Sequence, residues 1–94
     1  MANTTIDEII EQVTTICRNH GVEQLMLFGS YAKGTNTDNS DVDFVIKGFE
    51  GDMSELQEAV DEIRTLKKID LFHYESIYND FLLEDINKYG RQIY

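Results

Sequence analysis

The stretch GSYAKGTNTDNSDVDFVI, residues 29–46, decides the fold of this 94-residue chain. A Gly-Ser pair follows the apolar run Leu25 to Phe28, and two aspartates, Asp41 and Asp43, lead into a second apolar run. This order predicts a first strand over Gln24 to Phe28, a sharp turn with a short helix, a polar loop, and a second strand over Asp41 to Ile46.

The ends of this stretch carry groups that suit a nucleotide. The turn at Gly29 and Ser30 offers backbone N–H groups that can bind phosphate oxygens. Strand geometry would point the carboxylates of Asp41 and Asp43 to one face, about 7 Å apart along the chain. Mg²⁺ prefers one or two carboxylates plus substrate phosphates, and ions roughly 4 Å apart clamp both oxygens of a phosphoryl transfer. Taken alone, Asp41 could belong to a polar turn and Asp43 could be a solvent-facing residue of a strand. The occurrence of both aspartates after a Gly-Ser turn favours a metal-dependent site instead.

These residues resemble the signature of the nucleotidyltransferase superfamily that includes DNA polymerase beta, and especially its small stand-alone branch, the minimal nucleotidyltransferases. Its members carry a Gly-Ser, an Ala-Arg-Gly and a Ser-Asp-x-Asp in this order and at this spacing. The matching residues are Gly29, Ser30, Ala32, Lys33, Gly34, Ser40, Asp41 and Asp43. The chain departs from the pattern with Phe44 for leucine and Lys33 for arginine. Lysine keeps the charge but lacks the planar fork that grips phosphate at two points.

The resemblance implies transfer of AMP from ATP to a hydroxyl, dependent on two Mg²⁺ ions. Asp41, Asp43 and a third carboxylate from a later strand would hold the ions, and the third would help to deprotonate the hydroxyl. Asp70 has the matching context, and the alternative is an ordinary surface Asp on an edge strand. The implied nucleotide-binding residues are Gly29, Ser30, Lys33 and Ser40.

The remaining elements follow from apolar periodicity and turn residues. Helices are predicted over residues 4–20, behind a cap at Thr4 or Thr5, and from Met53 to just before Lys67. A third strand over residues 68–73 contains Asp70, which would be costly in a central strand unless a charged group met it. A last helix over residues 78–89 and an extended tail complete one α/β domain over residues 1–94. Its predicted fold is a small mixed sheet of three to four strands backed by helices, the nucleotidyltransferase fold.

The composition limits the partners. Eighteen acidic and eight basic residues give a formal charge of −10, which argues against nucleic acid and suits a basic protein. The single cysteine, Cys17, cannot form an intramolecular disulfide and falls on the apolar side of the first helix, so a buried thiol is expected. No apolar run has the length of a signal or membrane segment, and a cytoplasmic protein is expected.

The resemblance also implies a role. Minimal nucleotidyltransferases are often antitoxins that adenylylate a tyrosine of a HEPN-domain ribonuclease toxin. Two alternatives stay open: a non-catalytic antitoxin that covers the toxin, and a transferase that acts on a small-molecule hydroxyl. The base preference, the acceptor residue, the number of nucleotides added and the oligomeric state do not follow from the sequence.

Overall fold

A computed structural model describes residues 5–94, which form a mixed four-stranded sheet packed against helices. The strands are β1 Gln24–Phe28, β2 Val42–Lys47, β3 Ile69–His73 and β4 Arg91–Gln92. The helices are α1 Ile6–Asn19, α2 Ser30–Lys33, α3 Met53–Asp61 and α4 Asp80–Tyr89, with one 3₁₀ turn at Tyr74–Ser76. The predicted α/β class and mixed sheet are confirmed. No helix within residues 5–94 is long and apolar enough to cross a membrane.

The strand order is β3-β2-β1-β4, and the direction of each pair follows from its connection. β1 runs antiparallel to β2 and to β4, whereas β2 and β3 are parallel. Parallel neighbours need a crossover, and α3 supplies it. In the resulting register Asp43 of β2 lies opposite Phe28 of β1 on one side and opposite Asp70 of β3 on the other.

The helices cover the two faces of this sheet. Phe44 belongs to a core cluster with residues of α1 and α3, while its neighbour Val45 packs with Phe28 and with Ile86 of α4. Successive side chains of a strand point to opposite faces, so α1 and α3 lie on one face and α4 on the other. Asp43 is two residues before Val45 in β2, so its side chain points to the same sheet face, which α4 covers.

Helix α1 begins at a capping box. The Thr5 hydroxyl accepts a hydrogen bond from the Glu8 N–H at 3.2 Å, and a Glu8 carboxylate oxygen accepts one from the Thr5 N–H at 3.5 Å. Thr5 is thus the predicted cap, while the other candidate, Thr4, lies outside the described residues. Cys17 is buried as predicted, and burial raises the pKa of its thiol to about 11.

Helix α3 is shorter than predicted. The predicted helix continued to Leu66, but α3 ends at Asp61, where an N–H of Ile63 bonds to the Val60 carbonyl three residues back. The Thr65 hydroxyl then accepts from the Lys67 N–H in a separate turn. Leu66, expected on the apolar side of the helix, is 95% exposed, so this prediction is wrong.

Strand β3 lies at the edge of the sheet, so Asp70 does not stand in a central strand. The outer side of β3 is bonded to a side chain instead of another strand. Gln57 of α3 donates from Nε2 to the Ile69 carbonyl at 2.9 Å, and its Oε1 accepts from the Leu71 N–H at 3.1 Å. One amide therefore satisfies the backbone groups on both sides of Asp70.

Candidate active site

The Gly-Ser turn brings the backbone against a carboxylate. Gly29 precedes α2 with φ 71° and ψ −150°, a conformation open essentially only to glycine. A Cβ built on Gly29 would lie 2.6 Å from Oδ2 of Asp43. The absence of a side chain at position 29 therefore lets the turn pack directly on Asp43.

Asp43 is the centre of the candidate site. Its side chain is half-buried, and its strand neighbour in register is Asp70. Burial raises the pKa of the Asp43 carboxyl above its ordinary value of 3.8, the charges of Asp70 and then Asp41 raise it further, and Lys68 lowers it. Asp70 and Asp41 therefore both lie close enough to Asp43 to repel its charge, and a cation site at these carboxylates stays a prediction.

Asp70 has a basic neighbour that sequence reasoning missed. The Lys68 ammonium lies 3.8 Å from Oδ1 of Asp70, and most of the lysine side chain is exposed. The two residues are i, i+2 on one segment, so a period-2 reading of residues 68–73 could have found the pair. Such an exposed pair contributes about 1 kcal/mol or less to stability, but its charge offsets part of the carboxylate repulsion.

Asp41 and Ser40 lie just outside β2. The predicted strand began at Asp41, but β2 begins at Val42 and Asp41 is exposed before it. The Ser40 hydroxyl accepts from the Thr37 N–H at 2.8 Å, and the Ser40 N–H bonds to the Thr37 carbonyl. Ser40 thus closes the turn that leads the chain to Asp41, and its role toward a nucleotide stays a prediction.

Lys33 is engaged by helix α4. Its ammonium lies 3.1 Å from Oδ2 of Asp85, and it also lies 4.9 Å from the centre of the Tyr89 ring. Lys33, which is predicted to bind the phosphates of the nucleotide, is therefore held beside α4 in this structure. Asp85 gave no sequence signal, because it is one of several acidic residues on an amphipathic helix and is 52 positions from Lys33.

A cavity of about 360 Å³ opens beside Asp41. Residues 38–41 line one side and residues 65–68 the other. The Lys67 ammonium crosses between these segments and donates to the Asp38 carbonyl at 3.0 Å. The cavity therefore places two lysines, Lys67 and Lys68, on the side opposite Asp41.

The donor set at this edge fits a hard cation. Asp41, Asp43 and Asp70 supply only carboxylate oxygens, which Mg²⁺ prefers. Burial and then the charges of Asp70 and Asp41 raise the pKa of Asp43, and a bound cation would offset both effects. Within residues 5–94, no three His, Cys, Asp or Glu side chains are already arranged as a metal-binding group. The register brings Asp43 and Asp70 together, and ligation by all three aspartates stays a prediction.

The raised pKa of Asp43 has a measurable effect on stability. A carboxyl with a higher pKa in the folded than in the unfolded chain binds its proton more tightly when folded. Its contribution to the free energy of unfolding is therefore greatest below pH 3.8 and is lost as the pH rises through the folded-state pKa. We expect Asp43→Asn to raise this free energy at pH 7 by about 0.5–1 kcal/mol, the scale of a like-charge cross-strand contact.

Urea unfolding of both proteins at pH 7 and near pH 3.5 measures this difference, which should shrink at the lower pH. Glu58→Gln, at an exposed position of α3, is the control and should change stability by less than about 0.5 kcal/mol. An Asp43→Asn variant that is less stable than the wild type at pH 7 would contradict the repulsion.

The fold and these residues define a class of protein. Residues 11–94 match the family model described as polymerase beta nucleotidyltransferase, so the chain belongs to this family and is a nucleotidyltransferase. This result confirms the predicted family and fold.

Individual relatives give the same family. "Putative protein adenylyltransferase MJ0435" of Methanocaldococcus jannaschii is 32% identical over 77 residues, which cover 78% of this chain and 82% of that protein. "Putative protein adenylyltransferase MJ1379" of the same organism is 32% identical over 89 residues, covering 88% and 89%. A crystal structure of a toxin-antitoxin with AMP-PNP shares the fold at a TM-score of 0.68, with 23% identity over 89% of this chain and 71% of that one.

Proposed function

We propose that this protein is a Mg²⁺-dependent protein adenylyltransferase that acts as an antitoxin by transferring AMP from ATP to a tyrosine of a HEPN-domain toxin. The observation that carries the proposal is the register of β2 and β3, in which Asp43 and Asp70 are direct neighbours, with the Gly29 backbone packed on Asp43. A charged pair of carboxylates at a glycine turn suits phosphoryl transfer.

The relatives support a protein as the acceptor. Both M. jannaschii proteins carry the name protein adenylyltransferase, and the structural neighbour is a toxin-antitoxin that contains AMP-PNP, an ATP analogue. The HEPN class of toxin and the tyrosine acceptor rest on the resemblance of the signature to minimal nucleotidyltransferases. The formal charge of −10 agrees with a basic protein partner.

The three aspartates have different roles in the proposed transfer of AMP. The phenolic oxygen attacks the α-phosphorus of ATP, the bond from that phosphorus to the bridging β-phosphate oxygen breaks, and pyrophosphate leaves. Asp70 takes the phenolic proton, since a phenol is a poor nucleophile until its proton is drawn off. Asp41, Asp43 and Asp70 would hold Mg²⁺, which supplies charge neutralisation for the phosphates when bound.

Lys33 is proposed as a contact of the β and γ phosphates. Its present partner is one carboxylate, and both side chains of the pair are about a third exposed, so releasing Asp85 costs about 1 kcal/mol or less. The lysine ammonium has three donors and a flexible stem, and a triphosphate presents more negative charge than one aspartate. Exchange of Asp85 for phosphate is therefore favourable.

The mass of the acceptor tests the reaction. Incubated with ATP, Mg²⁺ and its HEPN-domain partner, the wild-type protein should raise the partner's mass by one or more adenylates, and peptide mapping should find them on tyrosine. EDTA should prevent the change, because removal of the cation leaves the phosphate charge unscreened. If the partner is neutralised equally well without ATP, and its mass never changes, the non-catalytic antitoxin replaces this proposal.

A further inference from the structure

Helix α4 exposes an aromatic surface beside the active site. Among residues 5–94, four large apolar side chains are exposed, and three of them lie at the ends and the outer side of α4: Tyr78, Phe81 and Tyr89. Tyr78 is 89% and Phe81 83% exposed. Tyrosine and phenylalanine are enriched in protein interfaces, and exposed clusters of such residues mark binding sites. We name Tyr78, Phe81, Glu84, Asp85 and Tyr89 the α4 face.

The α4 face also contains a surface depression and charged side chains. A surface depression of about 820 Å³ follows the helix from Asn79 to Tyr89 and includes Phe81. Residues 78–89 carry the carboxylates of Asp80, Glu84 and Asp85 and the ammonium of Lys88, and Asp85 is paired with the Lys33 ammonium. An aromatic anchor beside Asp80 and Glu84, on a chain of formal charge −10, fits a partner that presents basic and apolar side chains.

The position of the α4 face relates it to the chemistry. Helix α4 packs through Ile86 on Val45, on the sheet face where Asp43 opens two residues earlier. The ion pair between Asp85 and Lys33 joins the same helix to the signature segment. A protein seated on α4 would therefore have its own surface next to Lys33 and the signature segment, on the side from which an acceptor hydroxyl can approach the carboxylates.

A second copy of the chain is a less suitable occupant of this face than a basic protein, because each copy carries a formal charge of −10. A two-fold interface would bring the same patch of both copies together and would oppose their acidic residues. We propose that the α4 face docks the acceptor protein through basic and apolar side chains of that protein. This inference rests on the proposed function, since it names the surface that brings the acceptor to the site.

Binding and turnover together test the docking surface, with the purified HEPN-domain partner as the probe. Phe81→Ser should weaken binding about 10-fold or more, the scale of a lost aromatic anchor, and Glu84→Lys should weaken it most at low salt. The KM for the acceptor should rise with the dissociation constant, while the KM for ATP and the kcat at saturating acceptor stay unchanged. Glu58→Lys is the same charge reversal at an exposed site of α3 on the other sheet face. It should leave the dissociation constant and the KM for the acceptor unchanged.

The outcomes separate the two proposals. Undiminished binding by both α4 variants, with AMP still transferred, overturns the docking surface and leaves the proposed function intact. Loss of binding in these variants without any AMP transfer by the wild type supports the surface and overturns the proposed function. No binding by the wild type overturns both, and a wild-type dimer that Phe81→Ser converts to a monomer assigns the face to self-association.

Discussion

Asp43→Ala should reduce AMP transfer to the acceptor by at least about 1,000-fold. Asp43 adjoins Asp70 in the register and Gly29 at the turn, so its removal takes a carboxylate from the centre of the site. Loss of even an outer partner of a metal ligand typically costs 10–100-fold, and a direct ligand should cost more. The rate of adenylate incorporation into the proposed acceptor protein, followed by intact mass, measures the effect.

The same variant should still bind the acceptor. Asp43 lies on β2 and the proposed docking surface lies on α4, so the dissociation constant should stay within about 2-fold of the wild-type value, since the residues are separate. Asp7→Ala, which removes an exposed carboxylate from α1 on the opposite sheet face, is the matched control and should keep full transfer. Transfer by Asp43→Ala at a rate near that of Asp7→Ala would exclude Asp43 from the chemistry.

Gly29→Ala should damage both stability and transfer. The φ of 71° and ψ of −150° at Gly29 would cost an alanine about 1–3 kcal/mol in the free energy of unfolding. The new methyl would also meet Oδ2 of Asp43 at 2.6 Å and force that carboxylate to move. A displacement of about 1 Å can cost roughly 100-fold in rate, and we expect a loss of that order.

Gly34→Ala separates the backbone effect from the contact with Asp43. Gly34 has φ 75° and ψ 18°, and a Cβ there would meet nothing within 4 Å. Its alanine variant should therefore lose about 1–2 kcal/mol of stability from the left-handed backbone, yet keep its transfer rate within about 3-fold. Urea unfolding and initial transfer rates of both variants provide the comparison, and equal rates for the two would rule out the role of the Gly29 contact.

Local residue patterns predicted the elements and the sheet class, because apolar periodicity and glycine turns act over a few residues. The pattern failed at the end of α3, where apolar Leu66 continued the helical spacing although the backbone had already turned. It also placed Asp70 in the right strand without deciding whether that strand is central or at the edge. Strand order depends on which distant segments pair, and no local preference encodes it.

In the candidate site, too, features that depend on nearby residues could be predicted, whereas contacts between distant residues could not. Asp41, Asp43 and the Gly-Ser turn could be proposed from the sequence because they are close along the chain and their spacing has a chemical meaning. The pairing of Lys33 with Asp85 could not be found, because it joins residues 52 positions apart and depends on how α4 packs. The resemblance to a family predicted Asp70, since no spacing rule connects β3 to β2 across a helix.

The two hydrogen bonds of Gln57 have a consequence for the solubility of this chain. An edge strand presents unpaired N–H and C=O groups that can template a strand of another molecule and so begin aggregation. Gln57 occupies the outward-facing groups of Ile69 and Leu71 and leaves an incoming strand without partners at the middle of β3. The same amide fixes the backbone on both sides of Asp70. One side chain thus contributes both to protection from edge-to-edge association and to the placement of a candidate catalytic carboxylate.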